Sequence, residues 1–241
     1  MKKLKQEEGS NLLRRSIAFL LAVFLLFSSL VFGFTICIDP GHQEKGDPTH
    51  EQIAPGSTET KARVSTGTRG VKTGIPEYVF TLEFSFLLRD RLVQEGFDVI
   101  MTRERHDINI SNIERAKIAN EANADLAIRI HADYSANSEV KGFMLLIPSP
   151  DSIHTAPIYS ESRRAAEKIM ASLLNISGIS SLGIRQRSDM TGFNWSKVPV
   201  LIFEAGFMSN PEEDVLLASQ DYREKLVEAL VSGISDYFLS R

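Results

Sequence analysis

The chain alternates between two kinds of patterning. Short apolar or β-branched runs recur at Thr35–Asp39, Phe97–Thr102, Asp125–Ile130, Gly142–Ile147 and Pro199–Phe203, lengths that suit buried strands. Between them lie longer stretches with apolar residues at helical spacing, predicting helices over Glu77–Glu95, Ile110–Ala122, Ile158–Leu174 and Asp221–Leu239. In the first, Val79, Leu82, Phe86 and Val93 share the helical rhythm. Pro76 stands just before that helix and Gly96 just after it, each where helix ends favour it. In the last, Leu226, Leu230, Ile234 and Tyr237 form one stripe. Strands alternating with helices predict an α/β layered sandwich of the phosphorylase/hydrolase-like kind, its central sheet mainly parallel or mixed and flanked by helices. Residues 43–75 break the rhythm. They are rich in Gly, Ser, Thr, Pro and charge, and too long for an ordinary connection, so they read as a functional or mobile loop.

The N-terminus follows a third pattern. A polar stretch with basic residues at both ends precedes a run without charge from Ser16 to Phe34. That is the layout of a secretory signal or signal-anchor. A buried core helix would need a polar face, which this run lacks. The expected organisation is therefore a signal or anchor over residues 1–34 and one catalytic domain over residues 35–241, lying outside the cytoplasmic membrane. Whether a membrane tether persists is open at this level. Composition adds little: 241 residues, 43% hydrophobic, suit one ordinary globular domain with such an appendage. A net charge of -4 gives no sign of nucleic-acid binding. The single cysteine, Cys37, lies inside the first apolar run and reads as a core thiol.

The polar residues at the strand ends carry the chemistry. Ligands of open α/β sheets bind at the carboxyl ends of the strands. His42 follows the first predicted strand, His131 directly follows Asp125–Ile130, and Glu204 directly follows Pro199–Phe203. Glu77 opens a helix, which in a βα unit begins on that same edge. Two histidines and two carboxylates are thus expected on one rim. Catalytic zinc takes three protein ligands and leaves a position for water or substrate. Two imidazoles and a carboxylate suffice, and a second carboxylate can serve as general base. Glu83 lies about 120° around the helix from Glu77 and is expected to be solvated or salt-bridged instead. Singly, each residue has a plainer role: a lone histidine at a strand end is more often structural. Asp39 can support His42 or shape the turn, while Arg103 and Arg115 can hold substrate carboxylates or form structural ion pairs. His50, His106 and His154 lie in polar loops and are expected to be exposed. The stretch STGTRGVKTG suggests phosphate binding but lacks the Gly-Lys-Ser/Thr ending and a preceding strand, which excludes a P-loop.

Five segments together resemble the zinc-dependent N-acetylmuramoyl-L-alanine amidases of bacterial cell walls. They are IDPGH at 38–42, the helix opening with Glu77, MTRERHDINISNIERAKIAN at 101–120, ADLAIRIHAD at 124–133 and VPVLIFEAGFMSNPEED at 198–214. The resemblance implies zinc held by His42, Glu77 and His131, with Glu204 as the catalytic carboxylate. It also implies peptidoglycan as substrate, cut between N-acetylmuramic acid and L-alanine. Gln43, Thr81 and Arg129 depart from the usual pattern, in which Gly, Asn and Ser are common at those places. Two rivals remain at this level. One is a zinc carboxypeptidase, which would need a rim cation such as Arg103; the other is a non-catalytic wall-binding or regulatory domain.

Overall fold

The computed structural model describes residues 33–240 apart from residue 177. The predicted signal or anchor therefore lies outside the described residues, except for its last two positions. Of these, Phe34 packs into the domain, its ring stacked on Phe238 with centroids 4.4 Å apart. Among the described residues, no helix is long and apolar enough to cross a membrane.

Six strands form the central sheet: β1 (Thr35–Pro40), β4 (Asp98–Met101), β5 (Leu126–Asp133), β6 (Phe143–Pro148), β7 (Ser181–Arg187) and β8 (Val200–Phe207). Their spatial order is β4-β1-β5-β8-β6-β7. The first four run parallel, β6 is antiparallel to β8, and β7 is parallel to β6. The sheet is thus mixed, and its four parallel strands place their carboxyl ends on one edge.

Alternation along the strands creates two different faces. Ile36 and Ile38 of β1, and Leu126, Ile128 and Ile130 of β5, point to one side with Leu201 and Phe203 of β8. That face is covered by α1 (Glu77–Gln94), α3 (Ala156–Leu173) and α6 (Gln220–Leu239), which contribute Phe80, Phe84, Leu88, Ala165, Ile169 and Leu230 to one apolar cluster. Burial of such side chains stabilises by roughly 1.5–3 kcal/mol each. The opposite face carries Cys37, Ala127, Met144, Val200 and Ile202 in a smaller cluster, under α2 (Asn112–Glu121) and the short α4 (Thr191–Asn194). The Cys37 thiol is buried there.

Helix ends follow local chemistry. Ser111 and Glu114 form a reciprocal capping box, so α2 begins at Asn112 rather than at the expected Ile110. The last helical segment before α6 is α5 (Pro211–Ala218), capped by Asn210, whose side chain accepts from the Glu212 and Glu213 amides. Three expectations need correction. The stretch 43–75 is not structureless: it contains an antiparallel hairpin of β2 (Asp47–Gln52) and β3 (Thr60–Val64). Strands β5 and β8 run past their predicted ends, so His131 and Glu204 lie within strands, not after them. Strand β7 and helices α4 and α5 were not expected at all.

Candidate metal centre and catalytic rim

Pairing register builds the rim. His131 of β5 pairs with Glu204 of β8, which pairs in turn with Met144 of β6. On the other side Pro40 pairs with Ile130, so Gly41 stands level with His131. Glycine is required there: a Cβ on Gly41 would sit 2.4 Å from the His131 ring. The ring leans over this gap towards His42, and the two imidazoles meet edge to face, centroids 4.8 Å apart.

Glu77 reaches the same point from the first turn of α1. Its Oε1 lies 3.0 Å from His42 Nε2 and 3.1 Å from His131 Nδ1. The two ring nitrogens are themselves 3.1 Å apart. Three potential ligand atoms thus form a nearly equilateral triangle, and the trio can hold a metal ion. His42 and Glu77 are held from behind, whereas the buried Nε2 of His131 has no hydrogen-bond partner among the described residues. His42 Nδ1 lies 3.0 Å from both the Ser65 carbonyl and the Ser65 hydroxyl, leaving Nε2 to face the triangle. Glu77 Oε2 accepts from the Thr68 amide at 2.9 Å. Gly67 (φ +79°) closes over both, and a Cβ there would lie 2.6 Å from Glu77 Oε2.

Electrostatics match this geometry. Burial opposes ionisation of Glu77, yet the hydrogen bonds and charges of His131 and His42 hold its pKa well below the usual carboxylate range. Burial, with His42 nearby, pushes His131 down to about 4, so its ring is neutral at neutral pH and its lone pair is available. Glu204 behaves oppositely. Burial, together with the negative charges of Glu77 and Asp133, raises its pKa well above the ordinary value. Its Oε2 is buried and has no hydrogen-bond partner among the described residues. Sequence reasoning did not mark Asp133, whose own pKa burial raises.

The turn that presents His42 is held by buried arginines. His42 adopts φ +60°, a left-handed conformation uncommon for a side-chain-bearing residue. Arg103 donates to the carbonyls of Pro40, Gly41 and Tyr78 at 2.8–3.0 Å. Arg115 donates to the carbonyls of Pro40 and His42 at 2.7 and 2.8 Å, and Thr81 Oγ1 to that of Gly41 at 2.8 Å. Every carbonyl of the turn is thereby satisfied, which over-determines the strained backbone. Asp39 neither touches His42 nor acts alone on the turn. Its carboxylate bonds Arg115 Nη1 and Arg129 Nε, each at 2.6 Å, and Thr102 Oγ1. Burial opposes its charge, but the two guanidiniums outweigh burial and hold its pKa far below the ordinary range.

Both Arg103 and Arg115 are therefore structural, and Arg103 is not offered to a substrate carboxylate. Gln43 is also structural: fully buried, it bonds the Lys45 carbonyl, Asn109 and the Ile110 amide. Glu83 is salt-bridged to Arg223, as its position on the helix predicted. His50 is exposed, while His106 and His154 are partly buried, and His106 lies edge-on to Tyr78. The residues that sequence reasoning missed are Ser65, Gly67 and Thr68. Thr68 acts through its amide and leaves no side-chain signal, and Ser65 acts through both its carbonyl and its hydroxyl; the glycine at a tight approach was the clearest available clue.

Comparison with known proteins points in one direction. A family model described as N-acetylmuramoyl-L-alanine amidase matches residues 36–236. An N-acetylmuramoyl-L-alanine amidase of Mycobacterium tuberculosis is 29% identical over 216 residues, spanning 88% of this chain and 89% of that protein. A probable cell wall amidase of Staphylococcus aureus is 28% identical over 207 residues, 86% of this chain but 59% of that longer protein. The crystal structure of an N-acetylmuramyl-L-alanine amidase from Mycobacterium smegmatis superposes with a TM-score of 0.77 at 28% identity, covering 88% of this chain and 99% of that one.

Proposed function

The chain belongs to the N-acetylmuramoyl-L-alanine amidase family, and from that premise we propose that it is a zinc enzyme of peptidoglycan. Its target is the amide joining the lactyl group of N-acetylmuramic acid to L-alanine. The ligands are His42 Nε2, Glu77 Oε1 and His131 Nδ1, and the catalytic carboxylate is Glu204. The observation that carries this reading is the triangle of ligand atoms. Tetrahedral zinc with ligands at about 2.0–2.1 Å separates them by about 3.3 Å, close to the 3.0–3.1 Å found here. Two ring nitrogens with one carboxylate also suit zinc better than magnesium or calcium, which prefer oxygen.

Zinc in such a site supplies a Lewis acid for the scissile carbonyl and makes hydroxide available near neutral pH. The chain's own residues supply the rest. His42 is oriented by Ser65, and His131, a neutral donor, lies over the gap at Gly41. Glu204, whose Oε2 has no hydrogen-bond partner among the described residues, takes a proton from the attacking water and returns it to the departing alanine nitrogen. The substrate class places the enzyme outside the cytoplasmic membrane, and the N-terminal apolar run is its route there.

Muropeptide mass spectrometry tests the proposal. The purified full-length protein is incubated with peptidoglycan, with and without a chelator and added zinc. Free stem peptides beginning at L-alanine, lost on chelation and restored by zinc, are the expected products. Shortened peptides still attached to sugar would replace the amidase by a carboxypeptidase.

A further inference from the structure

Asp214, in α5, is 1% exposed. An ionised carboxylate in that position must be well solvated by protein donors. Oδ2 accepts from the amides of Lys72 and Thr73 at 2.6 and 2.8 Å, and Oδ1 from Thr73 Oγ1 at 2.6 Å. All three donors belong to one turn, the same stretch that looks phosphate-binding in the sequence. Its anion is the chain's own side chain. The fit excludes variation, since a Cβ on Gly70 would stand 2.0 Å from Asp214 Oδ1.

This turn is the tip of a small hairpin whose base is the metal centre. The Gly70 amide bonds the Ile75 carbonyl at 2.9 Å, and Arg69 bridges Pro76 in antiparallel fashion. One step further, the Glu77 amide bonds the Thr68 carbonyl and the Thr68 amide returns to Glu77 Oε2, both at 2.9 Å. The Val71 amide also bonds the Met208 carbonyl at 3.1 Å, beside α5. The pairs 70–75, 69–76 and 68–77 therefore connect the Asp214 carboxylate to the Glu77 carboxylate through an unbroken ladder.

We propose that Asp214 is a positioning residue for the metal centre: by fixing the tip of the 68–77 hairpin it sets the Glu77 carboxylate against His42 and His131. The inference rests on the zinc reading above. A purely structural Asp214 would staple α5 to the domain, and its loss would lower stability without changing zinc affinity.

Zinc dissociation constants of the full-length protein, from competition with a chromophoric chelator, separate these roles. Near-UV circular dichroism and thermal unfolding of the metal-free forms accompany them. Asp214→Asn and Thr73→Val are expected to weaken zinc binding by about tenfold or more, the range seen when groups behind metal ligands are lost. Thr73→Ser, which keeps the hydroxyl, is expected to restore wild-type affinity. If Asp214→Asn does not fold, the two Thr73 variants decide the matter. Wild-type zinc affinity in Thr73→Val and in any folded Asp214→Asn overturns the positioning role and leaves the zinc centre standing. A wild-type protein without stoichiometric zinc overturns the centre itself, and this inference with it.

Discussion

The two faces of the central sheet are made from the same strands and solve opposite problems. Ile36, Ile38, Ile128 and Ile130 face α1, α3 and α6 in a dry apolar layer. Their neighbours Asp39, Arg129 and His131 face the other way, into charge and the candidate site. The first face needs no partner of defined chemistry, because apolar contact is non-directional. The second is directional throughout: Asp39 is stable only because Arg115, Arg129 and Thr102 surround it. The first face is thus held by contacts without direction and the second by directed pairs, while Glu77 and Thr81 reach the site from α1 at the edge between them.

Substitutions that act on one face and spare the other test this division. The largest effect is expected at Glu204. Glu204→Gln should lower turnover by about 10²–10⁴-fold, the usual contribution of a general base, while zinc stays bound; a near-normal rate would remove Glu204 from the mechanism. Next comes Asp39→Asn, which strands two buried guanidiniums and should cost about 3–5 kcal/mol in denaturant unfolding at pH 7. Because the folded pKa of Asp39 is depressed, its contribution is fully present above the unfolded carboxyl value of about 3.9 and is lost as pH falls through the folded value. The stability gap between wild type and Asp39→Asn should therefore shrink on acidification below about pH 4. A gap that stays constant from pH 7 to pH 3 would show that the pairing is not the cause.

On the apolar face, Leu88→Ala should cost about 2–5 kcal/mol, yet leave zinc affinity and turnover per folded molecule unchanged. A loss of zinc affinity there would mean that the two faces are coupled. The smallest effect belongs to the surface: Glu83→Gln, at the half-exposed end of the Arg223 ion pair, should change stability by less than about 1 kcal/mol.

Legibility in the sequence follows the same division. Apolar runs and helical stripes revealed the elements that meet on the apolar face, since burial there imposes period and composition, but the stripe read in α1 was out of phase: Val93 is exposed, and Phe80, Phe84, Leu88 and Leu92 form the buried line. The rim was legible because His42, His131 and Glu204 interrupt apolar strands whose carboxyl ends share an edge. Strand ends were misplaced because pairing continues through His131 and Glu204 after the apolar run stops. The hairpin of β2 and β3 was invisible because it has no buried face of its own. It is held by polar contacts such as the bond from Trp195 Nε1 to the Gln52 carbonyl and that from the Ile113 amide to Glu51. Strand β7 is an edge strand, only partly buried, with the weak alternation that such a position allows. The pairing of Asp39 with Arg129 spans 90 positions, and no local pattern announces it.

The burial of Glu204 at the rim bears on how such a protein can be evolved in the laboratory. A carboxyl buried beside two further acidic groups, Glu77 and Asp133, opposes its own ionisation in the folded protein. Apolar replacements at this position relieve it, so variants that outlast the parent on heating will include inactive ones. A selection that rewards heat resistance alone will drift towards silence at position 204, and only one that also demands a cut bond will keep the glutamate.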